Sequence, residues 1–145
     1  MEWHIHLLHP KLVHFPIALF MSALGLEILS LLFRKDALHR TAVHIYVLAA
    51  FISPVVVLTG LQEVWHEHLH HPVLDIHQRF GLLTMFGSLA TLPILWVLQK
   101  RNSKLFRAVF AASVIMIFIF VTVTAYNGGR MVYEYGVGVG DHDEH

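Results

Sequence analysis

Four long apolar stretches dominate the chain, at about residues 12–33, 43–61, 80–98 and 105–126. A helix needs about 20 apolar residues to cross the hydrocarbon core of a bilayer, and each stretch is close to that length. Lipid offers no hydrogen-bond partner to backbone amides, so stretches of this kind must form helices. Because the connections are short, consecutive helices should pack antiparallel. The pattern predicts an all-α, up-down four-helix bundle that spans a membrane as a single domain over residues 1–145.

The basic residues set the expected orientation. Seven of the ten Lys and Arg residues flank the two connections between stretches one and two and between stretches three and four. Short loops rich in Lys and Arg stay in the cytoplasm. We therefore expect both termini, the 63–79 loop and the 127–145 tail on the periplasmic side of the inner membrane. The first stretch exceeds the apolar run of about 7–15 residues found in signal peptides, so we expect it to be retained as a helix.

The composition narrows the candidate functions. Hydrophobic residues make up 56% of the chain and charged residues 14%, against about 25% charged in soluble domains. The formal net charge is zero, which gives no indication of a nucleic-acid partner. Because the chain has no cysteine, disulfides, thiolate metal sites and covalently attached haem are excluded. Histidine is the outlier, at 13 of 145 residues, and imidazole is a ligand of metals and haem.

Eleven of the thirteen histidines lie towards the non-cytoplasmic ends of the expected helices. A b-type haem in a helix bundle needs two imidazoles from different helices at one depth. His14 in the first helix and His77 at the entrance of the third meet this condition within about two turns. The sequence therefore predicts them as axial ligands of haem b near the outer face. His9, with a histidine of the loop, is a candidate ligand for a second haem, so one or two haems are compatible with the pattern. The alternative is an interfacial histidine that is hydrogen-bonded to a neighbour.

Two arginines lie on the expected periplasmic side, where Lys and Arg residues are otherwise scarce. Arg79 and Arg130 need anionic partners, and a guanidinium pairs well with a carboxylate. Haem propionates, a quinone headgroup, lipid phosphate and the nearby Glu63 and Glu134 are the candidates. The sequence does not choose among them.

The run His66-Glu67-His68-Leu69-His70-His71 is a separate signal. Imidazoles at short intervals beside a carboxylate suit Zn²⁺ or Cu²⁺, and residues 141–145 offer further ligands. A metal site formed by His66, His68, His70 and His71 is one reading of this run. The other is that it binds no physiological metal.

One carboxylate lies deep within an apolar stretch. Glu27 and His44 fall at similar depth in adjacent helices when about 1.5 Å per residue is counted from their cytoplasmic ends. A buried ionisable group in lipid normally has a partner, so we expect these two to be hydrogen-bonded. A proton relay or the rim of a quinone site is the functional alternative, and Glu63 is a further candidate for that chemistry.

Two passages carry a resemblance to a known family. The first is His9-Pro10-Lys11-Leu12-Val13-His14-Phe15-Pro16, and the second is Gly128-Gly129-Arg130-Met131-Val132-Tyr133 followed by Gly136-Val137. With four helices in this length, they resemble the bacterial membrane family called domain of unknown function 2231. The resemblance spans nearly the whole chain and implies the fold and the topology. The family has no settled activity, but some relatives occur alongside cytochromes or Rieske-type proteins, which points to redox chemistry. Its pattern marks His9, His14, Glu27, an acid near Glu63, and His77.

Three functions are compatible with these patterns. The first is an electron-transfer subunit, in which haem b carries electrons between a quinol in the membrane and a redox protein or larger respiratory complex at the outer face. The second is a metal-binding or metal-handling membrane protein that uses the His66–His71 run. The third is a non-catalytic structural or assembly subunit. The sequence has no phosphate loop and no two-histidine protease motif, so we do not expect an enzyme that acts alone.

Overall fold

The computed structural model describes residues 8–67, 70–101 and 103–136, with only the backbone of residues 66 and 67. A short helix, α1 (Leu8–Leu12), leads into α2 (His14–Phe33), and then follow α3 (Asp36–Glu67), α4 (Pro72–Arg101) and α5 (Ser103–Tyr133). With α1 and α2 counted together, this part of the chain contains four helices that are long and apolar enough to cross a membrane. The prediction of an all-α, four-helix membrane protein is therefore confirmed.

The helices extend further than the apolar stretches predict. α3 continues to Glu67 and α4 begins at Pro72, so the prediction of a loop over residues 63–79 is wrong, because residues 63–67 and 72–79 are helical. α5 likewise continues to Tyr133, past the expected start of the tail. A helix of 30 residues is about 45 Å long, which matches a bilayer together with its headgroup regions. A hydropathy profile detects only the part of such a helix that lies in the hydrocarbon core. It does not detect the polar turns at each end of the helix.

The interruption between α1 and α2 has a local cause. Pro16 lacks a backbone N–H, so it cannot donate to the carbonyl of Leu12. The chain nevertheless stays helical in outline, because the amide of Val13 donates to the carbonyl of His9 at 2.9 Å. His9 thus lies within this helical segment, and a hydrogen bond from its side chain to the carbonyl of Val56 holds it against α3.

Aromatic rings fill the middle of the bundle. Tyr46 of α3 lies between Phe20 of α2 and Phe110 of α5, with ring centroids 5.5 Å apart in both pairs. All three side chains are buried. Edge-to-face aromatic contacts of this kind are typical of well-packed cores.

A proline inside α3 is compensated by its neighbour. Pro54 cannot donate to the carbonyl of Ala50, but the hydroxyl of Ser53 donates to that same oxygen at 2.9 Å. The orphaned carbonyl is thus satisfied within the helix, which matters because lipid cannot satisfy it.

The two ends of the bundle differ in chemistry. The histidine end is formed by the start of α1, α2 and α4 together with the end of α3 and α5. The basic end is formed by the end of α2 and α4 together with the start of α3 and α5. These two names are used below.

Candidate functional site

A large cavity lies at the histidine end. Its volume is about 620 Å³, and α1 to α5 all contribute to its walls. Most of the wall is apolar, with side chains such as Val56, Leu74 and Val121. Cofactor and small-molecule sites usually occupy about 300–1,000 Å³ and are largely apolar with a few placed polar groups. Two imidazoles are the polar groups that stand out in this cavity.

The first imidazole is that of His9. Its Nδ1 lies 2.9 Å from the carbonyl oxygen of Val56 in α3, and the hydroxyl of Thr59 lies 3.5 Å from the same nitrogen. A carbonyl oxygen only accepts, so Nδ1 is the donor and carries the proton. In the neutral ring this leaves Nε2 with its lone pair available as a ligand.

The second imidazole is that of His77, in the second turn of α4. Its Nδ1 donates to the carbonyl oxygen of Thr124 in α5 at 2.8 Å. His77 is therefore anchored in the same way as His9, on a different helix pair. Ligand histidines typically donate their second ring nitrogen to a carbonyl or carboxylate, which sets the tautomer and the ring orientation.

The two anchored rings lie close together. Their centroids are 6.1 Å apart, and their planes cross at 87°. Neither ring belongs to a loop, so each is positioned by a helix and by a hydrogen bond to a neighbouring helix. The pair joins all the spanning segments at this end of the bundle.

Two glycines make room for the pair. A Cβ added at Gly60 would lie 2.8 Å from Cε1 of His9, and one added at Gly128 would lie 3.1 Å from Cε1 of His77. Real Cβ atoms essentially never approach another atom within 3.0 Å, so any other residue at position 60 would displace the ring of His9. The close approach at Gly128 lies within α5.

His14 lines the same cavity but is exposed, and the ring beside His77 is that of His9. Five residues separate positions 9 and 14, which turns them about 140° apart around a helix. When His9 points into the bundle, His14 is therefore turned largely away. Depth alone favours the pair His14–His77, but rotation about the helix axis favours His9.

The arginines near this end have different surroundings. Arg130 pairs with Glu134, with Nε and Oε2 2.8 Å apart, and donates to the hydroxyl of Tyr135 at 2.9 Å. Of the anionic partners that the sequence suggests for Arg130, the structure therefore shows Glu134. Arg79 is exposed in α4, and Glu63 lines the cavity.

The histidine run that predicts a metal site is only partly described. His68 and the side chain of His66 lie outside the described residues. The ring of His71 lies 4.4 Å from that of Tyr135, and its Nδ1 accepts a hydrogen bond from the amide of Val73 at 3.2 Å. Within residues 8–67, 70–101 and 103–136, no group of three His, Asp or Glu residues could hold a metal ion. The metal site of His66, His68, His70 and His71 thus remains a prediction.

A second polar cluster surrounds Glu27 at the basic end. Glu27 is 2% exposed, and its Oε2 lies 2.6 Å from Nδ1 of His39. Its Oε1 lies 3.7 Å from Nε of Arg107. The expected partner, His44, is exposed, so the hydrogen bond is made to His39 instead. The reason is that α3 begins at Asp36, well before its apolar stretch, which places His39 within the bundle.

The fold and the anchored histidine pair define the class: this is an integral membrane four-helix bundle with a half-buried imidazole pair near one end. Its residues 5–141 match the model of a family described as predicted membrane proteins, DUF2231. The chain belongs to this family of unknown function, as its sequence motifs indicate. No curated protein and no solved structure matches the chain.

Proposed function

We propose that the protein holds one b-type haem between His9 and His77 and transfers electrons at the histidine end of the bundle. The separation of the two imidazoles is the observation that carries this proposal. A metal bound by Nε2 of both rings, at the length of about 2.1 Å typical of imidazole ligands, would place the ring centroids roughly 6.5 Å apart. The observed separation is 6.1 Å.

The donor set favours haem over a bare metal ion. Structural zinc takes four protein ligands and catalytic zinc three, whereas haem needs only two axial ligands because its own nitrogens occupy the other four positions. The cavity joins two imidazoles with largely apolar walls, which suits a porphyrin. Anchoring of both rings through Nδ1 supports the same assignment, because it fixes each Nε2 as the ligand atom.

The haem would supply one-electron chemistry, and the chain would determine its environment. Held by both His9 and His77, the haem would be suited to electron transfer and not to oxygen binding. The apolar wall excludes water. Arg130 already pairs with Glu134, so exposed Arg79 is the better candidate for a propionate contact. A quinol in the membrane and an outer-face redox protein or complex are the partners that this position fits.

An absorption spectrum tests the proposal. Protein purified from cells with ample haem should show a b-type α-band in the reduced-minus-oxidised difference spectrum, with one haem per chain. His9→Ala and His77→Ala should each abolish the band. His14→Ala is the matched control, since it removes an imidazole from the same cavity and should retain the haem.

The outcomes separate the alternatives. Wild-type protein without an α-band would overturn the haem proposal. Loss of haem in His14→Ala, with retention in His9→Ala, would show that His14 and His77 are the ligands, as their depth in the helices favours. Stoichiometric zinc or copper by elemental analysis, in protein that lacks haem, would favour a metal-binding function.

The angle between the rings adds a spectroscopic test. Imidazole planes that cross at 87° give low-spin ferric haem a highly anisotropic EPR signal, whereas parallel planes give a rhombic one. We therefore expect the anisotropic signal in oxidised protein. A rhombic spectrum would show that the two rings are not the axial pair in this arrangement.

The proposal places the histidine end on the periplasmic side, as the distribution of basic residues favours. Because the chain contains no cysteine, single substitutions can be labelled without background. A membrane-impermeant thiol reagent should label Tyr133→Cys in intact spheroplasts, and Lys35→Cys only after lysis. The reverse pattern would invert the topology.

A further inference from the structure

A second cavity lies at the basic end and has no role in the proposed haem function. Its volume is about 670 Å³, and its walls come from the start of α3, the end of α4 and the start of α5. Three cations line it, Arg40, Lys104 and Arg107, together with one carboxylate, that of Asp36. The lining therefore carries an excess of positive charge.

The three cations are not equivalent. Nη1 of Arg107 lies 3.0 Å from Oδ1 of Asp36, and its Nη2 donates to the hydroxyl of Ser30. With Glu27 also within 3.7 Å, the charge of Arg107 is balanced by carboxylates on α2 and α3. Arg107 thus forms the back wall of the cavity and contributes little net charge.

Arg40 and Lys104 supply the excess charge. Within the described part of the chain, neither makes an ion pair. They belong to different helices, α3 and α5, and both line the same cavity. Because the one carboxylate in its wall, that of Asp36, pairs with Arg107, the charges of Arg40 and Lys104 are available to an anion.

The backbone adds to the positive electrostatic potential in this cavity. α5 begins at Ser103 in the cavity wall, and its first turn contains no acidic residue. The N-terminus of a helix carries a partial positive charge and unpaired amides, which favour phosphate and other anions. The start of α3 lies in the same wall, although there Asp36 offsets it.

The position of the cavity indicates the source of the anion. It lies where the apolar stretches of the helices end, at the level of the lipid headgroups, and its wall also includes the apolar side chains Val43 and Phe106. Basic pockets between membrane helices bind the headgroups of acidic phospholipids. We propose that this cavity binds the phosphate of an acidic phospholipid, with Arg40 and Lys104 as its charged ligands.

Native mass spectrometry of purified protein, titrated with phosphatidylglycerol or phosphatidylcholine, tests this proposal. We expect one phosphatidylglycerol to be retained preferentially. The double substitution Arg40→Gln with Lys104→Gln should weaken its binding roughly 30-fold, since each cation near a charged lipid surface contributes substantially to affinity. The matched control is Lys35→Gln with Arg101→Gln, which removes two charges from the same end outside the cavity and should retain the lipid.

Three results would overturn the proposal. The first is equal retention of the two lipids by the wild-type protein, and the second is equal loss in the two double variants. The third is binding of inorganic phosphate as tight as that of phosphatidylglycerol, which would show that the site takes a soluble anion and not a lipid. Circular dichroism of the variants shows whether the bundle is folded, and none of these measurements depends on haem.

Discussion

Replacement of Gly60 by alanine tests how the cavity positions its imidazoles. The new Cβ would lie 2.8 Å from Cε1 and 2.9 Å from Nδ1 of His9, whereas carbon atoms in good contact are about 3.5–4.0 Å apart. The ring of His9 must therefore move by roughly 0.6 Å or more. Its Nδ1 is held 2.9 Å from the carbonyl of Val56, so such a movement lengthens or breaks that hydrogen bond.

The expected free-energy change follows from these contacts. An added methyl group in a packed site costs about 1–3 kcal/mol, and loss of one hydrogen bond costs about 0.5–1.5 kcal/mol. Replacement of a helical glycine by alanine gains up to about 1 kcal/mol. The net expectation for Gly60→Ala, with the full propensity gain subtracted, is a destabilisation of about 0.5–3.5 kcal/mol.

Gly25→Ala is the matched control, because Gly25 also lies within a membrane helix and a Cβ there would meet nothing within 4 Å. The free energy of unfolding, measured by SDS titration without added haem, should fall for Gly60→Ala and stay equal or rise for Gly25→Ala. Haem content should also fall only for Gly60→Ala. Equal stability and equal haem content in the two variants would refute the close packing of His9 against position 60.

Three further predictions follow from other contacts. Gly128→Ala should lower haem occupancy, because its Cβ would lie only 3.1 Å from the ring of His77. Gly129→Ala is the control, since a Cβ there meets nothing within 4 Å. The measurement is bound haem per chain. Glu27→Ala removes a buried carboxylate that contacts a histidine and an arginine. It should cost about 3 kcal/mol in SDS unfolding, and a change below about 0.5 kcal/mol would contradict this. Ser53→Ala leaves a helix carbonyl without its partner and should lower the free energy of unfolding by about 1 kcal/mol, and an unchanged value would show that the hydroxyl does not compensate the proline.

Much of the site could be expected from the sequence. The two ends of the bundle were distinguishable from the distribution of His, Lys and Arg alone, and His77 and His9 were both among the candidate ligands. What the sequence missed was Gly60. Its neighbours are ordinary helix residues, and only a ring on another helix makes its missing Cβ matter.

The partner of Glu27 illustrates a second limit. Hydropathy places His39 outside the second apolar stretch, because Asp36, Arg40 and other polar residues surround it. In the structure the same residues form the first two turns of α3, and this additional helix carries His39 to Glu27. A hydropathy profile marks where lipid contacts the chain, and it does not mark where the helix begins.

The sequence by itself determined the class of the protein, the number of helices and the chemical contrast between the two ends. These properties depend on how apolar each segment is, because the bilayer selects long apolar segments whatever their detailed order. Tertiary structure alone decided that His9 meets His77 and that His39 meets Glu27. Such pairs depend on the rotation of each helix about its own axis and on where each helix starts, and both are set by the packing of all four helices together.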